Sequence, residues 1–279
     1  MNENSAPDGG QEARWNGPSG SAWVEARDLM DGMFRPLADL LAEGVESGDR
    51  VLDVGCGTGA TTIAAARRAG PESECVGVDI SAPMIAAARE RAAREGSRAS
   101  FVLADAQEHA FAPGSFDTIV SRFGVMFFED PTRAFTNLRR AAADGARLRL
   151  IVWRAVEENP FMTTAERAAA PLLPDLPVRR PDEPGQFGLA NPDLVHRILE
   201  DADWTDIDLQ PFDEPCSFPE ADLITYFTTF GPVGTLLRDH DATTRARVIE
   251  SVRPAFTPYL HGTEVRFTAA CHLITARKR

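Results

Sequence analysis

Lysine is almost missing from this chain, since Lys278 is the only one among 29 basic residues. Chemistry that needs a lysine inside a pocket therefore has no candidate outside the C-terminal tail. Tyrosine is nearly as scarce, and neither Tyr226 nor Tyr259 has a lysine four positions behind it. That leaves an NAD(P)-dependent oxidoreductase of the Tyr-x-x-x-Lys kind without its catalytic pair. Cysteine is limited to Cys56, Cys75, Cys216 and Cys271, widely spaced and without a CxxC pair. This excludes a zinc ribbon or a disulfide framework, and no metal site is expected. Runs of about 18 apolar residues do not occur, and the polar, Gly/Pro-rich start has neither the basic nor the apolar part of a signal peptide. The expectation is a cytoplasmic protein with no membrane insertion.

Positive charge is in deficit as well. The balance of 29 basic and 42 acidic residues gives 29 − 42 = −13. Affinity for nucleic acid comes largely from Lys and Arg on phosphates, so no nucleic-acid partner is expected and a small molecule is. At 279 residues with 43% hydrophobic content, the chain is long enough for one α/β core with sizeable insertions.

What is present is an alternation of short apolar runs with helical periods. Val51-Leu52-Asp53-Val54 reads as a first strand and Thr61 to Ala69 as a helix. Cys75 to Val78, Ala99 to Leu103, Phe116 to Ser121 and Arg147 to Trp153 read as further strands, with helices over Pro83 to Glu95 and Pro131 to Ala143. Repeated βα units with fully apolar strands predict a mostly parallel sheet covered on both faces. The proline-dense stretch Asn159 to Pro192 breaks the alternation. Helix resumes after Asn191-Pro192, followed by a strand from Thr205 to Phe212, an irregular, helix-containing stretch from Pro219 to Leu260, and a final strand from Val265 to Thr275. Three parts follow: residues 1–47 as a flexible arm, to about residue 18, and a helical flap, 48–153 as the ligand-binding core, and 154–279 as caps plus the last two strands.

The glycine loop Gly55-Cys56-Gly57-Thr58-Gly59 lies between the first strand and the first helix of the core, where backbone N–H groups and a helix N-terminus face a ligand. Its spacing is not the GxGxxG of dinucleotide-binding folds. Asp53, two residues ahead, would repel a pyrophosphate and attract a cation. Asp79 ends the second strand 79 − 59 = 20 residues past the last glycine, where a carboxylate can take both hydroxyls of a ribose. Asp105 ends the third, placed to accept from an adenine amine. S-adenosylmethionine (SAM) has the matching amine, sulfonium, ribose and adenine, and no phosphate.

On the runs VLDVGCGTG, VGVDIS, ADAQEHAF and FDTIVSRFGVMFFEDP, the chain resembles the class I SAM-dependent methyltransferases, in particular the small-molecule group related to the ubiquinone and menaquinone biosynthesis C-methyltransferases. The likeness covers about Gly48 to Trp153. It implies a Rossmann-like seven-stranded sheet of order 3-2-1-4-5-7-6 with the last strand antiparallel, helices on both faces and helical cap insertions. It implies that Asp53, Gly55, Cys56, Gly57, Thr58 and Gly59 hold the methionine part and Asp79 the ribose. Ile80 and Met84 would flank the adenine, and Asp105 and Ala106 would bind its edge. Ser121 and Arg122 would lie near the reacting end, under a flap carrying Trp15 and Trp23. S-adenosylhomocysteine (SAH) would be the product.

Methyl transfer needs alignment and exclusion of water, and a base only where the acceptor must lose a proton. His240, His261 and Arg122 are the candidates for that role or for orienting an anionic acceptor. The region of Ser121-Arg122-Phe123-Gly124 lacks the Asn/Asp-Pro-Pro-aromatic motif of DNA adenine methyltransferases and the acids of a catechol-type metal site. A small, hydrophobic acceptor methylated on carbon, oxygen or nitrogen remains, with Phe161, Leu173, Phe218, Tyr226, Phe227 and Phe230 of the caps as candidate walls. A SAM-binding regulator, or an enzyme using SAM without transferring methyl, fits the same motifs.

Overall fold

The computed structural model describes residues 10–177, 179 and 183–279. Three helices lead in: α1 (Gly10–Asn16), α2 (Pro18–Glu25) and α3 (Arg27–Glu43). Strand β1 (Val51–Val54) is followed by α4 (Ala60–Ala69), β2 (Cys75–Asp79) by α5 (Ala82–Glu95), and β3 (Ser100–Leu103) runs on to β4 (Phe116–Arg122). After α6 (Pro131–Ala141) come β5 (Ala142–Trp153), the short α7 (Thr164–Ala169), α8 (Pro192–Asp201) and β6 (Thr205–Pro219). Helices α9 (Leu223–Thr229), α10 (Gly231–Leu237) and α11 (Ala242–Val252) form the second cap, and β7 (Leu260–His261) turns into β8 (Glu264–Arg277).

The strands form one sheet in the order β3-β2-β1-β4-β5-β8-β6, with β7 paired to β8 alone. Strands β1 to β5 are parallel, and β8 runs antiparallel to both β5 and β6. This is the expected 3-2-1-4-5-7-6 arrangement, in which the two-residue β7 shifts the last number by one. Parallel strands need both faces covered, which is why β1 is buried at all four positions and β2 at four of five.

Local chemistry starts and stops the helices. The Ser81 hydroxyl accepts from the N–H of Met84 at the start of α5, and Gly96 ends that helix at φ 62. Asp130 accepts from Arg133 N–H ahead of α6, and Asn191 from Asp193 and Leu194 N–H ahead of α8, each helix with proline in its first turn.

Two expectations need correction. Residues 10–16 are a helix rather than a flexible arm; residues 1–9 of that predicted arm lie outside the described residues. Strand β6 extends to Pro219, well past Phe212. Its prolines 211, 215 and 219 recur every four residues, so their missing N–H groups fall on one edge. Because among the described residues β6 pairs only with β8, that edge is the open one, where proline costs no ladder bond.

The cap aromatics are spent on packing. Phe161 stacks on Phe267 with centroids 4.0 Å apart and meets Phe256 and Tyr259 edge-on at 5.4 and 5.0 Å. Phe161, Leu173, Phe218 and Phe227 are buried in the main core, and Tyr226 donates its hydroxyl hydrogen to the Met162 sulfur at 3.5 Å. All four cysteines are buried and free. Among the described residues, no helix is long and apolar enough to cross a membrane.

Candidate functional site

Beyond the carboxyl ends of the strands, β1 is flanked by β2 on one side and β4 on the other, so the chain connections diverge there and leave a crevice. A cavity of about 1010 Å³ fills it. That is at the upper end of the roughly 300–1,000 Å³ usual for ligand sites and leaves room for two small molecules side by side.

Its floor is the glycine loop. Gly55, Gly57 and Gly59 stand at φ 68, 53 and 85, a region that disfavours side chains. A Cβ on Gly55 would also lie 2.6 Å from Gly124 Cα, because the β1 and β4 loops touch backbone to backbone. Asp79 ties loop to sheet: Oδ2 accepts from Gly57 N–H at 2.8 Å and Oδ1 from Ser81 N–H at 2.9 Å. Each oxygen keeps a lone pair for a ligand. Burial pushes this carboxyl up, opposed by those N–H bonds.

Of the residues singled out in the sequence, Gly55, Cys56, Gly57, Thr58, Asp79, Ile80, Met84, Asp105, Ala106, Arg122 and Trp23 line the cavity. Asp105 Oδ1 accepts from Gln107 N–H at 2.9 Å, which curls the chain after β3 around that end. Three others do not line it. Gly59 is the N-cap of α4, and its missing side chain makes room for Phe101. Ser121 is buried and donates its hydroxyl to the Val54 carbonyl at 2.7 Å. Asp53 is 1% exposed beneath the loop, its Oδ2 accepting from the Thr62 hydroxyl at 2.6 Å and its Oδ1 without a partner. Burial raises its carboxyl to about 6. It does not line the cavity.

His240 and His261, the base candidates, lie away from the cavity. His240 Nδ1 lies 2.9 Å from the Leu236 carbonyl at the end of the second cap, His261 is exposed in β7, and neither lines the cavity. The cap aromatics do not line it either. Its aromatic walls are Trp15, Trp23, Phe34, Phe123, Phe127 and Phe128, from the leading helices and the segment after β4.

The roof is α1. Asn16 donates to the Ile80 carbonyl at 3.0 Å and accepts from Ala82 N–H at 2.8 Å, while Ser81 donates its hydroxyl to the Trp15 carbonyl at 2.7 Å. Trp15 meets Phe127 edge-on at 5.1 Å. Phe123 holds φ 66, a strained value for a bulky residue, and stacks on Trp153 at 4.4 Å with Phe34 edge-on at 5.5 Å. Side chains held this way cluster where a ligand must be met in one orientation.

Charge is one-sided. Among the described residues, Glu12, Asp31, Asp79, Asp105, Glu108 and Glu129 line the cavity against one cation, Arg122. That guanidinium donates to the Phe34 carbonyl at 3.1 Å and lies 4.0 Å from Asp31. The sequence reading missed Asp31 and Phe34. The available signal was a polar residue on the apolar side of α3 just ahead of Pro36.

The donor set fits SAM: a glycine loop open to close approach, carboxylates at the ends of β2 and β3, an unpartnered buried carboxylate oxygen below, and a negative field for a cation. Comparison with known proteins agrees. Residues 51–145 match the methyltransferase domain family. Nocamycin O-methyltransferase of Saccharothrix syringae is 40% identical over 116 residues, covering 40% of this chain and 41% of that protein. A ubiquinone/menaquinone biosynthesis C-methyltransferase of Pseudomonas aeruginosa is 32% identical over 152 residues, covering 53% and 59%. The chain thus spans about half the length of the curated relatives it matches. The YcgJ protein of Bacillus subtilis has the same fold, with a TM-score of 0.58 at 20% identity over 88% of this chain and 99% of that one. The resemblance read from the motifs therefore stands over residues 51–145, which match the methyltransferase domain family, on a fold shared with the YcgJ protein.

Proposed function

We propose that this chain is a SAM-dependent methyltransferase that modifies a small organic acceptor in the cytoplasm. The observation that carries the reading is Asp79, bonded to the glycine loop at Gly57 and facing a cavity lined, among the described residues, by six carboxylates and one arginine. SAM supplies an electrophilic methyl group on a sulfonium.

The residues do the rest. Asp79 accepts the ribose hydroxyls, and Asp105 with Ala106 meets the adenine edge, with Ile80 and Met84 packed against the ring. The loop Gly55 to Thr58 presents its backbone to the methionine part, and buried Asp53 supports the positive charge from below. Helix α1 and Trp15 exclude water from above. Trp23, Phe34 and Phe123 provide apolar walls for the acceptor at the end nearest β4. Arg122, already engaged by Phe34 and Asp31, does not single out an anionic acceptor.

Calorimetric titration with SAM and with NADH tests the cofactor, and SAH release against a panel of apolar hydroxyl, amine and enol compounds tests the transfer. SAM binding with SAH release is the expected outcome. NADH binding without SAM binding would overturn the reading. SAM binding without release across the panel would mark a SAM-binding regulator instead.

A further inference from the structure

We propose that Asp31 orients the acceptor by taking a hydrogen bond from the atom to be methylated, which makes that atom the oxygen of a hydroxyl or the nitrogen of an amine. This rests on the methyltransferase reading above.

Asp31 reaches the cavity because α3 is not straight. Pro36 has no N–H to give to the Gly32 carbonyl, and Phe34 departs from helical geometry at φ −109 and ψ 16. The Phe34 carbonyl is bonded by Arg122 instead, and the bend carries Asp31 and Phe34 into the cavity wall. Their end of the cavity is formed with Arg122 and Phe123 of β4 and its loop. The end formed by Leu103 to Asp105 lies past β1 and β2, on the far side of the glycine loop. With adenine at Asp105 and ribose at Asp79, the sulfonium points toward Asp31.

The two oxygens of Asp31 differ. Oδ2 is hydrogen-bonded by Arg91 of α5, while Oδ1 lies 4.0 Å from Arg122, too far for a hydrogen bond. One oxygen is therefore anchored and the other has its accepting capacity free. Its side chain is 17% exposed and lines the cavity. The walls nearby, Trp23, Phe34 and Phe123, offer no acceptor for an O–H or N–H group. A carbon nucleophile has no proton to place there; a hydroxyl or amine has one, and bonding it to Oδ1 aims the lone pair.

Sinefungin, in which an amine-bearing carbon replaces the methylated sulfonium, probes this without a known acceptor. Its amine occupies the place of the methyl group itself and carries N–H donors toward the Asp31 oxygen that would hold the acceptor. In calorimetry the wild-type protein should bind sinefungin about tenfold or more tighter than SAH. Asp31→Asn should bring that ratio to within about threefold while leaving SAH affinity within about twofold, since the loss is confined to one charged hydrogen bond. Asp31→Glu keeps the charge and the Arg91 pair but displaces the free oxygen. It carries the test if the Asn variant does not fold, with the same selective fall expected. An unchanged ratio, or equal losses for both ligands, would overturn the proposal and leave Asp31 as a helix anchor. Wild-type protein that binds SAH without preferring sinefungin overturns this inference alone, whereas binding neither overturns the methyltransferase reading with it.

Discussion

Replacing Asp53 with asparagine should make the ligand-free protein more stable at neutral pH and its SAM complex weaker. Burial beneath the glycine loop raises this carboxyl from 3.8 to about 6, with the Thr62 hydroxyl and the Arg122 cation opposing burial and Asp79 reinforcing it. A carboxyl whose folded value lies above its unfolded value holds its proton more tightly in the fold. Its stabilising contribution is therefore complete below about pH 3.8 and is lost as pH rises through about 6. The gap of about 2 units corresponds to something on the order of 3 kcal/mol at 1.36 kcal/mol per unit. Asp53→Asn preserves the shape and an oxygen for Thr62 while removing the buried charge. At roughly 2 °C per kcal/mol for a chain of this size, the variant should melt up to about 6 °C above wild type at pH 7.5. That margin should shrink toward pH 5 and close near pH 4. Wild-type affinity for SAM should rise over the same interval as Asp53 ionises, and the variant should lack that rise. A margin equal at pH 5 and 7.5, or a less stable variant at pH 7.5, would refute the reasoning.

Other consequences are as direct. Asp79→Asn replaces one accepting oxygen with a donor facing Gly57 or Ser81 N–H, and loss of a charged hydrogen bond worth ~1.5–3 kcal/mol should weaken SAH about 10- to 150-fold by calorimetry. An analogue without ribose hydroxyls should lose much less. Asn16→Ala removes two of the three hydrogen bonds that tie α1 to the end of β2, so proteolysis near residue 16 should accelerate and SAM affinity should fall. Deletion of residues 1–24 should be more severe; unchanged affinity would remove α1 from the site. Gly55→Ala places a Cβ 2.6 Å from Gly124 Cα at a positive φ, and thermal denaturation should show a loss of about 2 kcal/mol or more.

Most of the sheet was legible because its signals are local and repeated. Four buried residues ending at glycines can only be a central strand in such a chain, and Asn191-Pro192 opens α8 whatever lies around it. The acids Asp79 and Asp105 were legible for the same reason, since a strand end is a local event that fixes which way the next residue points. Helix α1 was not, because its bonds run 64 to 66 residues away to Ile80, Ser81 and Ala82, and nothing in its own composition announces them. Nor were the prolines of β6 readable as strand residues until the sheet showed which of its edges is open.

By itself the amino-acid order determined the alternation of strands and helices, the glycine loop and the acids at consecutive strand ends, all set by period and spacing within a few residues. Tertiary structure alone decided the division of labour. It sank Asp53 below the loop, turned the cap aromatics into core, set His240 and His261 aside, and bent α3 so that Asp31 and Phe34 face the cavity. Burial and contact depend on which distant segments arrive at one point, and that follows from the packing of the whole sheet, its caps and its leading helices.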